Sequence, residues 1–203
     1  DLHTLDVNQS DFTDQFSRTG FLSRVQILAR IIDHVPDTIT PDLADVLWKR
    51  VFTSKELVDY TRRALWDMLC AATGRSVKPN PFIEHCIHVC LPQLSPEDYS
   101  PELLSFIKQT VGYEVRFNPP PPASEHEVIS IPGMDRVWNF ILAAPPGSIV
   151  SDATNFAIDV YLDHNLINRS PRSAAEATHI ALVDRCVEQL RSAAAKLKPI
   201  GGN

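Results

Sequence analysis

Within six positions, His85-Cys86-x-His88-x-Cys90 gathers two imidazoles and two thiols, side chains that zinc favours. Helical geometry argues against one ion collecting all four. At about 100° per residue, with His85 at zero, Cys86 stands near 100° and Cys90 near 140°, while His88 stands near −60°. The cysteines therefore share one face with Phe82, Ile83, Ile87, Leu91 and Leu94, and the histidines share another. The expectation is two small core thiols, Cys86 and Cys90, with His85 and His88 at a more exposed margin and no metal bound.

The other candidates read as structure. Cys70 follows Met68-Leu69, and Cys186 lies between Arg185 and Val187. Neither has an activating histidine beside it in sequence, so both are expected to be inert thiols, buried or half-buried. Trp48, Trp66 and Trp138 could anchor a partner, but their helical context favours burial between helices. Asp11/Asp14 and Glu97/Asp98 read as helix starts. The chain has no Gly-x-x-x-x-Gly-Lys loop, no Gly-x-Gly-x-x-Gly, no His-Glu-x-x-His and no Gly-x-Ser-x-Gly. It thus nominates no catalytic, cofactor-binding or metal-binding residue and implies no cofactor.

The elements that position these residues carry the helical period rather than strand alternation. Phe21, Leu22, Val25, Leu28, Ala29, Ile32 and Val35 line a helix that ends before Pro36. Pro41 opens a second, carrying Leu43, Val46, Leu47, Trp48 and Val51. Thr53-Ser54, with Glu56 close behind, caps a third. Its stripe is Leu57, Val58, Thr61, Ala64, Leu65, Met68, Leu69 and Ala72, and Gly74 closes it. Another helix is expected from Pro81 to Leu94, and one or two between Ser95 and Phe117. Asn118-Pro119-Pro120-Pro121-Pro122-Ala123-Ser124 cannot be helical and reads as a surface loop or spacer rather than a docking peptide. Three segments follow: 134–143, 148–165 and 173–197.

In the last helix Ile180, Val183, Val187, Leu190, Ala194 and Leu197 repeat at alternating spacings of three and four. That stripe is expected to pack against Ala153, Phe156, Ala157 and Val160 of the preceding long helix. A weak internal repeat aligns Leu47-Trp48-x-x-Val51 with Val137-Trp138-x-x-Ile141, and Ala64–Leu69 with Phe156–Tyr161. In both copies a short Trp-bearing helix precedes a longer one. The expected fold is all-α, a right-handed stack of antiparallel helix pairs of armadillo or HEAT type. Residues 1–117 would form N-terminal repeats, 118–132 a proline-rich loop or linker, and 133–203 C-terminal hairpin repeats continuous with the first part.

Composition is consistent with this. Seven glycines and sixteen prolines among 203 residues disfavour glycine-rich nucleotide loops and suit helices with abrupt ends. A net charge of −6 with scattered Lys and Arg argues against a nucleic-acid partner. No apolar run approaches the roughly 18 residues of a membrane span. Four cysteines without a disulfide framework suggest reduced thiols and a cytoplasmic or nuclear setting. The opening Asp-Leu-His and the closing Gly201-Gly202-Asn203 read as a piece of a longer polypeptide.

The stretch from Met134 to Ile149, with Ala157-Ile158-Asp159-Val160-Tyr161-Leu162 and Asp184-Arg185-Cys186-Val187-Glu188-Gln189-Leu190, resembles the non-catalytic helical region of giant ubiquitin-specific proteases. The likeness is clearest over 133–197 and weaker over 20–117. It implies a scaffold that recruits proteins, whether ubiquitinated substrates or other domains of the same chain. It transfers no active site, because none of Cys70, Cys86, Cys90 or Cys186 follows the Gly-Leu-x-Asn type box of that family's catalytic cysteine. A general armadillo- or HEAT-type adaptor with no link to ubiquitin is the alternative.

Overall fold

Most prolines at helix boundaries start helices here. Thr40-Pro41, Asn80-Pro81 and Ser100-Pro101 each place a side-chain acceptor at the N-cap and a proline at the first helical position. The acceptor takes up a free N–H of the first turn, and proline has none to leave unpaired. In the computed structural model, residues 5–35, 39–52, 59–163 and 165–196 are described. Among them are helices and connecting segments and no strand, and helix exceeds the usual third of a globular chain more than twofold. The Pro36 stop, the Thr53-Ser54 cap with Glu56, Leu57 and Val58, Leu197 and the last three residues lie outside the described set.

The order is α1 (Leu5–His34), α2 (Pro41–Leu47), α3 (Asp59–Arg75), α4 (Pro81–His85), α5 (Pro101–Phe117), α6 (Met134–Ala143), α7 (Ser148–Asp163), α8 (Asn165–Asn168) and α9 (Arg172–Lys196). Two wide π turns, Trp48–Phe52 and Cys86–Cys90, extend α2 and α4. Asp11 and Asp14 therefore lie inside α1 rather than at its start. Glu97 and Asp98 do open a helical turn, where Ser95 and Asp98 form a capping box.

α3 packs between α1 and α5, and α5 reaches on to α6 and α7. Trp48, Phe52, Trp66, Phe82 and Phe106 form an aromatic cluster at the centre, with neighbouring rings 5.6–6.4 Å apart. Such pairs add about 0.5–1.5 kcal/mol beyond the area they bury. Trp138 is buried too, so all three tryptophans are core residues as expected.

Gly74 does not close α3, which runs on to Arg75. The free carbonyls at that end go to another helix: Arg116 of α5 donates to Gly74 O at 2.8 Å and Thr73 O at 2.9 Å. A left-handed glycine is therefore not required there. The one at Gly133 is, with φ +83° at the N-cap of α6. A Cβ there would lie 2.7 Å from Glu114 Oε2 and 2.9 Å from Arg136 Nη2, the facing ends of a part-buried ion pair.

Residues 118–132 carry no helix, in keeping with the prolines, but the end of this segment is core. Ile129 and Ile131 are buried, and the Ile129 N–H donates to Thr178 Oγ1 of α9 at 2.8 Å.

The stripe on α9 overturns the packing expected for it. Ile180, Val183, Val187 and Leu190 are 63%, 59%, 36% and 70% exposed. The inward face instead carries Ala174 and Thr178, roughly opposite the stripe at about 100° per residue. Two causes set this rotation. The Ala153, Ala157 and Val160 face of α7 is already buried, and α7 packs on α5 and α6. Polar contacts also hold the other face of α9 inward, Thr178 to Ile129 N and Arg185 over the Trp138 ring at 4.8 Å, while His179 Nε2 bonds Tyr161 O at 2.9 Å from the flank of the helix. No described helix is long and apolar enough to cross a membrane.

Candidate metal centre

The His-Cys cluster sits where α4 changes register. Pro92 has no N–H to donate, and its ring would crowd the carbonyl four residues back in a regular α-helix. The chain widens to π bonding, with the Leu91 N–H donating to Cys86 O, five residues earlier. Single π turns of this kind are rare and recur at functional sites. In this register residues five apart come closer to one face, so His85 and Cys90 are not separated as an ideal α-helix would separate them.

The third member comes from α2. His85 Nε2–H donates to Asp45 Oδ1 at 2.8 Å, and the Cys90 thiol approaches the same oxygen at 3.7 Å. The nitrogen, the oxygen and the sulfur all lie within 4.8 Å of one another. The His85 side chain is 15% exposed and that of Asp45 is 42% exposed, while Cys90 is buried. One side of the cluster thus faces the core and the other opens to solvent.

The electrostatics follow from these contacts. The hydrogen bond from His85 holds the Asp45 carboxyl below the ordinary carboxylate range, against some desolvation. Burial pushes the Cys86 thiol well up. The hydrogen bond from Cys86 lowers Cys90, opposed by burial and by the Asp45 charge.

Cys86 and Cys90 are buried and both histidines are more exposed, as the helical wheel predicts, with His88 exposed and His85 half-buried. His88 turns away, its Nε2 3.9 Å from Glu114 Oε1. Cys70 is half-buried, and burial followed by the Asp67 charge pushes it up to about 12. Cys186 is exposed, contrary to expectation, because it lies on the outer side of α9. Sequence reasoning missed Asp45. No spacing signal links it to a cluster forty residues later, and only the packing of α2 against α4 joins them.

A nucleophilic cysteine needs a base at its thiol and a third group orienting that base. Here the carboxylate occupies the middle place, with imidazole and thiol both directed at one oxygen. The set is better arranged for holding a cation than for attack by a thiolate. Comparison with family models, curated proteins and solved structures finds no match for the chain.

Proposed function

We propose that the chain is a helical protein-interaction module from the non-catalytic, armadillo- or HEAT-like part of a large ubiquitin-specific protease. The observation that carries the interaction reading is the outer face of α9. Ile180, Val183, Val187 and Leu190 form one continuous helical stripe, each at least a third exposed. A run of large apolar side chains left in water marks a contact surface more often than a free one. The occupant that fits is an amphipathic helix laid along α9, as a neighbouring helix of an array would lie. The pairing of the short Trp138 helix with α7, matching Trp48 with α3, supports the repeat architecture. The resemblance over 133–197 supports the ubiquitin assignment.

Two experiments test the two parts. A photo-crosslinking residue at Val183 in the native full-length polypeptide, expressed in cells, should form crosslinks to one helical segment whose apolar residues recur every three or four positions. Crosslinks scattered over unrelated partners, or none, would refute the docking face. Sequencing the transcript should reveal a cysteine-box protease domain in the same reading frame. Its absence would remove the ubiquitin assignment and leave the general adaptor.

A further inference from the structure

We propose that Asp45, His85 and Cys90 form a three-residue binding site for a divalent transition-metal ion of the zinc class. The reading is independent of the docking face on α9, which lies on other elements.

The donor set selects the ion. A thiolate and an imidazole suit zinc and its first-row neighbours, whereas magnesium and calcium take oxygen ligands. Two of the three donor distances lie near those of a zinc site, and the third, between the imidazole nitrogen and the sulfur, lies within 4.8 Å and would close on the ion as it binds. Zinc bond lengths of about 2.0–2.3 Å at tetrahedral angles place N and O about 3.3 Å apart, and S about 3.5 Å from either. The sulfur-to-carboxylate distance is 3.7 Å, already close to that. The imidazole-to-carboxylate distance is 2.8 Å, so an ion would widen it by about half an ångström. A small rotation of the half-exposed Asp45 side chain supplies that.

Charge and protons also balance. The Asp45 carboxylate and a Cys90 thiolate carry two negative charges, which a divalent ion neutralises. The Cys90 proton passes to solvent on binding, so affinity rises with pH. Lys49 stands near Asp45 and adds an opposing positive charge. The Cys86 thiol, hydrogen-bonded to Cys90, stabilises the thiolate. Three protein ligands leave a fourth position on the solvent side for water, the arrangement of open rather than closed zinc sites. The ion would also bridge α2 to the π turn, linking two elements that are distant in sequence.

The test uses the full chain under reducing conditions, stripped with a chelator and titrated with Co²⁺ alone. We expect one equivalent to bind with a thiolate-to-cobalt charge-transfer band and the visible bands of a four-coordinate ion. Adding Zn²⁺ should bleach both. Asp45→Asn, His85→Gln and Cys90→Ser should each weaken binding by more than the roughly 10–100-fold that losing an outer partner costs. Cys186→Ser should bind as the parent does. Circular dichroism on each variant reports the helical fold, and Asp45→Asn, altering a half-exposed side chain, keeps the test decisive if Cys90→Ser unfolds. Absence of a thiolate band, its survival in Cys90→Ser, its loss in Cys186→Ser, or unchanged affinity in Asp45→Asn would each overturn the site and leave a His85–Asp45 hydrogen bond only.

Discussion

Asn80 ties two helices together through one buried side chain, and its removal makes a quantitative test of the fold. Its Oδ1 accepts from Phe82 N at 3.1 Å and Ile83 N at 3.3 Å, capping α4. Its Nδ2 donates to Ile32 O of α1 at 2.8 Å. In a continuing helix that carbonyl would accept from residue 36, but residue 36 is proline and has no N–H. Asn80→Ala removes the cap, at about 1 kcal/mol. It also leaves the Ile32 carbonyl short of a donor, at about 1–3 kcal/mol. The expected loss is about 2–4 kcal/mol in total. Asn80→Asp keeps the capping oxygen and loses the donor. It should cost at least the roughly 1–3 kcal/mol of the unpaired carbonyl, since it also sets a buried carboxylate oxygen against that carbonyl. Urea denaturation, followed by the helical circular dichroism signal with unchanged slope, reads both values. An Asn80→Ala change within about 0.5 kcal/mol of the parent, or an Asn80→Asp variant as stable as the parent, would refute the reasoning.

Gly133→Ala places a Cβ at φ +83° and 2.7 Å from Glu114 Oε2. Denaturation should show a loss of about 2–4 kcal/mol, backbone strain plus displacement of a part-buried ion pair. Gly112→Ala is the control: it lies inside α5 with nothing within 4 Å, and should gain about 0.5–1 kcal/mol from helix propensity. On α9, Val183→Asp should change stability by less than about 0.5 kcal/mol. Thr178→Val should cost about 1–3 kcal/mol because the buried Ile129 N–H loses its acceptor. Reversal of that order in a urea series would mean that α9 is rotated the other way. Burial raises the Tyr113 phenol above its ordinary range, with the backbone of Asn80 opposing. Its neutral form is therefore favoured in the folded state. That stability is intact below about pH 10 and declines above it, as the unfolded phenol ionises first. Tyr113→Phe should flatten the alkaline part of a stability–pH curve, and an unchanged slope would show that Tyr113 does not govern it.

Local chemistry was readable in the sequence wherever a residue acts on its own neighbours. Thr40-Pro41 started a helix because cap and proline operate within one turn, and residues 134–143 formed α6 with the expected bounds. Cys86 and Cys90 were legible as core residues because the face they share with Phe82, Ile83 and Ile87 is apolar at helical spacing. His85 is more exposed than either thiol, as the wheel implies, but an ideal period does not carry the π register that brings it towards the face of Cys90. Tertiary packing alone brought Asp45 to His85 and Cys90, since nothing in one helix specifies which other helix will lie against it. It also chose which face of α9 is inside. A stripe at three-and-four spacing shows that a face is apolar but not that a partner surface is free to cover it. The α7 face was already buried, and Thr178 and Arg185 supplied anchors that turned the stripe outward. Helix formation is settled by contacts within a few residues. Helix rotation is settled by competition among surfaces far apart in the chain, and that competition exists only once the chain has folded.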